Sequence, residues 1–421
     1  MHEPLSRLSR RAASAAVVLG LTAAAFATGN PGLDLAAHAT EVFVAPAGND
    51  RNPGTRDLPL TALQAGVDRL TAGDTLVVRS GTYRETVVFP RSGTADRPIK
   101  VQPHAGELVV ISGCDPVNGW QLHDPEKNIW RAPMDWTLGT GRNQVFAAGH
   151  VMIEARHPNE PAPGLGMYVG DLSPLWPTFG EFSIPPETRK ERPGRVVSPL
   201  LTGQPPDHWK GAIYYGIHYE GWCGQTGLVE HSSDGEIEVG DRTSGWWFGA
   251  SYNANYPSEQ QLGRGMLVGH VHALDRPGEW HWHDNSLLMI PPAGVDPATA
   301  AIEAKKRQVA LDVSGRQHIR IEGLNVVAAS MRLEDSADCT VDGCHFTHLS
   351  HFTRQYASGQ VEKGRNTITS GETGIFLSGH GNAFLNCSFG ISAGTGIHLR
   401  GYGHTVHNCL FDEVSYTAHY L

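Results

Sequence analysis

Near the C-terminus, Glu372 to Phe389 (ETGIFLSGHGNAFLNCSF) lies over Gly394 to Phe411 (GTGIHLRGYGHTVHNCLF) at a constant offset of 22, with nine of eighteen positions identical. Within each unit, apolar and variable residues alternate in short runs and stop at glycine or asparagine, the periodicity of short strands joined by turns. A repeat of this length predicts a solenoid whose coils bury their apolar positions against one another. Upstream, Gly343-Cys344-His345-Phe346 takes the place of Asn386-Cys387-Ser388-Phe389, Glu322 to Val326 precedes it by 20, and Met331 and Leu333 match Ile375 and Leu377. Two or three strands per coil predict an all-β, right-handed, single-stranded parallel β-helix, with Ile375 and Ile397 stacked about 4.8 Å apart. A leucine-rich repeat has a similar period, but its L-x-x-L-x-L run is missing.

The register gives several residues structural roles. Asn386 and Asn408 are expected to form a turn ladder, and Cys344, Cys387 and Cys409 to point inward as small stackers. A Cys387–Cys409 disulfide is the alternative; Cys114, Cys223 and Cys339 have no assignment. Residues 40–114 read as an N-terminal cap and first coils: strands Val42 to Val44, Thr75 to Val78 and Thr86 to Phe89, and a helix at about Leu60 to Leu70. Across 115–317 the repeat disappears and all ten tryptophans occur, which marks an inserted β-rich domain. It includes a hairpin-like run around Glu279-Trp280-His281-Trp282-His283 and a similar one at Val145 to His150. Residues 318–421 supply the remaining coils. The chain stops ten residues after Phe411 with no capping helix, so a truncated solenoid is expected.

Residues 1–39 carry Arg7, Arg10 and Arg11, an apolar run from Ala12 to Ala27, and Ala37-His38-Ala39, the pattern of a cleaved export signal. Secretion is therefore expected, by the Sec or the Tat route, with a retained anchor helix as the alternative. No later segment is apolar enough to span a bilayer, so no stable membrane insertion is expected after cleavage. A charged fraction of 18% with 49 glycines and 27 prolines excludes a coiled coil or a disordered chain. The net charge of -10, with no basic run beyond the N-terminus, argues against a nucleic-acid partner.

Leu76 to Tyr83 (LVVRSGTY), the segment EARHPN (154–159), the segments PGEWHWHD and LLMIPP (277–292) and the later coils together resemble β-helix glycoside hydrolases with an inserted β-domain. That group includes xylanase/fucosidase-type and β-xylosidase-type enzymes. The resemblance implies a polysaccharide or oligosaccharide substrate and hydrolysis of glycosidic bonds without a cofactor. A polysaccharide lyase of pectate or alginate type, using Ca²⁺ with Arg or Lys, is the second reading; Arg332, Arg354 and Arg400 support it. A non-catalytic glycan-binding β-helix is the third.

Glycoside cleavage needs two carboxyl groups, about 5 Å apart for retention or roughly 6.5 to 9.5 Å for inversion. Acids in register on successive coils meet the first spacing. Glu322 and Asp342 pass that test, although turns recruit acids anyway. Asp412 and Glu413 stand where the resembling enzymes tend to place active-site groups, but the positions one coil earlier are Gly390 and Ile391. Outward positions put Glu334, His398 and Arg400 on one face as substrate contacts, with Arg332 and Glu334 two coils below Phe376 and Ser378 and Glu372 at the preceding turn. Trp246, Trp247, Trp280 and Trp282 are candidates for a sugar-stacking wall, with core packing as the alternative. His281 and His283 lack a defined third ligand, so no metal site is assigned.

Overall fold

The computed structural model describes residues 39–139, 142–159, 180–183, 185, 194–218, 223–239, 262–351, 374–394 and 396–414. Three parallel sheets wind as a right-handed β-helix. The first face carries Glu41–Val44, Thr75–Val78, Ile99–Pro103, Ile319–Glu322, Thr340–Asp342, Ala383–Leu385 and Thr405–His407. Each coil turns from it to a second face, Gly81–Tyr83, Val109–Ser112, Asn325–Val327, His345–Thr347, Ser388–Ser392 and Leu410–Val414. It then turns to a third, Val87–Val88, Val309–Asp312, Ser330–Ala337, Ile375–His380 and Ile397–Leu399.

Strand alternation sends one residue in two inward, and parallel register places like above like. Ile375 pairs with Ile397 and Leu377 with Leu399, as the repeat predicts. Phe346, Phe389 and Phe411 form a column with ring centroids 5.4 and 4.8 Å apart and nearly parallel planes. Cys344 and Cys387 are buried beside that column, Cys409 is half-buried, and all three are free thiols. Each large apolar side chain buried in this way contributes about 1.5–3 kcal/mol relative to exposure.

The cap helix is shorter than the pattern suggests and spans Leu63–Val67. Leu60 is held in a strand-like bridge, donating to the Phe43 carbonyl and accepting from Ala45, so the helix cannot begin there. Its first amides, those of Leu63 and Gln64, are capped from a distance by the Glu85 carboxylate. Gly66 lets the helix press onto the solenoid, because a Cβ there would lie 2.5 Å from Leu76 Cδ1 and 2.8 Å from Val44 Cγ2.

The insertion, in which all but one strand pairing among the described residues is antiparallel, leaves the coil after Ser112. Cys114–Pro116 pairs antiparallel with Ile302–Lys305, so the departing and returning strands are clasped together. The β-helix resumes at Val309, earlier than the expected 318: Val309–Asp312 already pairs in parallel on the third face, but it carries a bulge between Val309 and Leu311 and lacks the glycine, asparagine and cysteine marks of the later coils. The described residues from Ala39 onward form one compact unit, so the insertion is a block built onto the solenoid. Inside it the expected hairpins are present, Glu279–His283 against Ser286–Met289 and Val145–Ala147 against His150–Val151. No helix among the described residues is long and apolar enough to cross a membrane.

Arg332 pairs directly with Phe376, and Thr340, Val341 and Asp342 pair with Ala383, Phe384 and Leu385, so an offset of 43 or 44 is one coil here, not two. Residues 352–373, which lie between these strands in sequence, are outside those described.

Candidate functional site

At the first corner, between first and second faces, Gly323, Gly343, Asn386 and Asn408 occupy equivalent left-handed positions, with φ of 64°, 60°, 52° and 51°. Asparagine tolerates this conformation better than most residues because its short amide bonds locally. Asn408 Nδ2 donates to Asn386 Oδ1 at 2.7 Å, and Asn386 Nδ2 donates to Asp342 Oδ1 at 2.8 Å. The expected asparagine ladder is present and ends on Asp342. Glu322 stands in direct register with Asp342, as the 20-residue spacing requires. One carboxylate of this pair is therefore held in a turn ladder.

The third face carries an outward column, Asp312, Arg332, Phe376 and His398, on successive coils. Arg332 lies 3.8 Å from Asp312 and 3.3 Å from Glu334. The rings of Phe376 and His398 stack at 5.1 Å, and the Arg400 guanidinium sits 5.5 Å from the Phe376 centroid. Burial and then the Arg400 charge lower the His398 pKa, and its Nε2 has no hydrogen-bond partner among the described residues. Glu334, His398 and Arg400 thus share one surface. Glu372, Arg354, Trp246 and Trp247 lie outside the described residues.

At the second corner, between second and third faces, Ala328, His348, Ile391 and Glu413 repeat a left-handed position with φ of 55°, 54°, 56° and 48°. Asp412 precedes Glu413 on an outward, exposed position paired with Gly390. The insertion also springs from this corner. Its Glu154 is 6% exposed and lies 3.6 Å from His351 Nε2, with Oε2 accepting no hydrogen bond among the described residues. Lys305, 1% exposed, donates to Gln144 Oε1 at 3.2 Å and to the Leu349 carbonyl at 3.0 Å. Burial lowers the Lys305 pKa to about 8. His348 packs edge-on to Phe146 at 5.0 Å, and burial, then Lys305 and His351, push it down to about 4. Gln144 Nε2 and His348 Nδ1 are also buried with no partner among the described residues. Leaving such a group unmatched costs about 1–3 kcal/mol, so three in one junction mark a place where polar chemistry outweighs packing.

The two motif segments of the insertion meet beside this junction. Ile153 and Glu154 pair parallel with Glu279 and Trp280, while Arg156 and His157 pair with Val268 and Leu267 of another sheet. The EARH stretch thus stitches two sheets of the block together. Glu279 accepts from the Asp275 and Arg276 amides at 3.1 Å, and burial raises its pKa to about 7. Trp280 is 1% exposed, its Nε1 donating to the Met152 carbonyl. It belongs to the buried cluster of the block with Met152, Leu287 and Met289, the core-packing role weighed for these tryptophans. Trp282 is half-buried and donates to the Met134 carbonyl. His281 and His283 stack as rings 6.0 Å apart.

Sequence reasoning missed Gln144, Lys305, His348 and His351, and met Glu154 only as a letter in a motif. None recurs at the repeat period, and the only signal was Glu154 within EARHPN.

No family model matches the chain. A solved structure described as a glycoside hydrolase superposes with a TM-score of 0.64 at 19% identity, covering 90% of this chain and 74% of its own. At that identity the likeness establishes the fold, a parallel β-helix. Pectate lyase PEL9 of Emericella nidulans is 42% identical over 77 residues, 18% of this chain and 19% of the relative. The Bacillus subtilis protein YwoF is 40% identical over 132 residues, 31% of this chain and 26% of the relative. The chain therefore matches about a fifth to a quarter of the length of these relatives.

Proposed function

We propose that the chain is an exported carbohydrate-active enzyme that hydrolyses glycosidic bonds of a polysaccharide or oligosaccharide at the second corner. The observation that carries this reading is the buried Glu154 carboxylate, set 3.6 Å from His351 at a corner whose column also holds Glu413. Glu413 stands two coils above His348, roughly 9–10 Å along the axis. In an inverting hydrolase one acid protonates the leaving group and the other activates water, and these are the two roles proposed for Glu154 and Glu413. The third-face column, with its exposed Arg400 beside the Phe376–His398 stack, gives an adjacent polar and aromatic surface for neighbouring sugar units. Names of the similar proteins, a glycoside hydrolase and a pectate lyase, agree with a carbohydrate substrate.

A lyase reading is favoured by a different observation, the guanidinium groups of Arg332 and Arg400 on that same face, which suit a uronate. Incubating the full chain with neutral and uronate-containing glycans separates the two. Reducing ends without a product absorbing near 235 nm support hydrolysis; an unsaturated product would move the assignment to the lyase. Glu154→Gln and Glu413→Gln, and Asp412→Asn beside it, are each expected to lower turnover by about 10²–10⁴. Glu322→Gln should leave it within about threefold. Full activity in Glu154→Gln would remove the second corner from the mechanism.

A further inference from the structure

We propose that Lys305 is a positioning residue, whose buried ammonium ties corner segment 348–351 to the inserted block and so sets His351 against Glu154 and His348 against Phe146. The proposal rests on the reading of this corner as the reaction site and adds to it the part that holds the corner in place. Three chain segments meet at one nitrogen: the returning strand Ile302–Lys305, Gln144 of the block, and Leu349 of the solenoid, 161 and 44 residues away from Lys305. Leu349 is flanked by His348 and, two residues on, His351, so the bond to its carbonyl fixes the backbone from which both imidazoles project.

An apolar residue would fill the same space at lower cost, because burying a cation is expensive unless it is matched by an anion. Among the described residues no carboxylate lies within ion-pair distance of Lys305; its strand partner is Cys114, whose thiol burial pushes up to about 12 and holds uncharged. A lysine kept here against its own desolvation is explained by what it orders. The same corner is fastened from above by Ser350, whose hydroxyl meets Ser392 Oγ at 2.9 Å, so the segment is braced by the next coil on one side and by Lys305 on the other. Without the ammonium the Leu349 carbonyl and the Gln144 carboxamide oxygen lose a charged donor together, and the block side of the brace is released.

The test compares the full chain with its Lys305→Met variant, using the ring signals of histidine-labelled protein, steady-state glycan turnover and thermal unfolding. The expected result is that the His348 midpoint moves up toward the ordinary histidine value, while kcat falls by about tenfold to a hundredfold with KM nearly unchanged. The thermal midpoint at neutral pH should not drop. Gln144→Met, which removes only one acceptor, should shift both readouts in the same direction by less, and it serves if Lys305→Met does not fold. An unchanged His348 titration in either folded variant overturns the proposal, whatever happens to stability. If the unsubstituted chain turns over no glycan, the functional reading fails, and the histidine titration still decides the role of Lys305.

Discussion

Glu279 shows how one carboxyl can be held against its solvent preference. Its pKa of about 7 stands above the ordinary 4.5 because burial outweighs the amides of Asp275 and Arg276 that favour the charged form. Between those values the native state keeps a proton that the unfolded chain releases. The group's contribution to stability is thus full at low pH and lost as pH rises toward 7, a difference of about 3 kcal/mol for a gap of this size. Glu279→Gln should flatten that dependence, so that denaturant unfolding finds the variant gaining on the parent between pH 5 and pH 8. An identical difference at both pH values would show that Glu279 is ionised throughout. The buried histidines carry the opposite sign. His348, with a folded value of about 4, and His281, at about 3, are neutral inside and charged outside, so each lowers stability as pH falls below 6.5.

At the level of the strand and turn, the asparagine ladder and the junction differ in how they can be read. Asn386 and Asn408 recur at the repeat distance because each coil needs a left-handed residue at the same corner and bonds to the one below. Asn386→Ala should cost about 1–3 kcal/mol, losing two side-chain bonds and the amide that makes a left-handed φ tolerable for a residue with a Cβ; Asn386→Gly should cost less, since glycine tolerates that φ. Urea melts of the two variants measure the difference. Because stacking imposes vertical sameness, the strands, the inward cysteines and the register of Ile375 on Ile397 were all visible in the sequence. The junction was not. His348 shares its column with Ala328, Ile391 and Glu413, which have no chemistry in common, and Glu154 and Lys305 come from a block without periodicity. Their meeting depends on how the block sits against the corner, which no local spacing encodes. The intervening 352–373 stretch also disguised a single coil as two, which displaced Arg332 from its true neighbour Phe376.

For the molecule as a whole, stability is distributed along the stack. Phe389 lies between Phe346 and Phe411 and is fully buried, so Phe389→Ala is expected to cost about 3–5 kcal/mol. Phe411, 42% exposed on the last described coil, should cost clearly less when truncated. Equal losses in chemical denaturation would mean that the final coil is as well covered as the interior.

The clasp of Cys114–Pro116 with Ile302–Lys305 gives the solenoid a modular seam. Because departure and return occur side by side, the coil itself is interrupted only by a short antiparallel bridge, and the block's further hold on the solenoid lies at the corner around His348 and His351. A graft that keeps those two ribbons and exchanges everything between them would leave the spiral's pitch intact and give it a different accessory head.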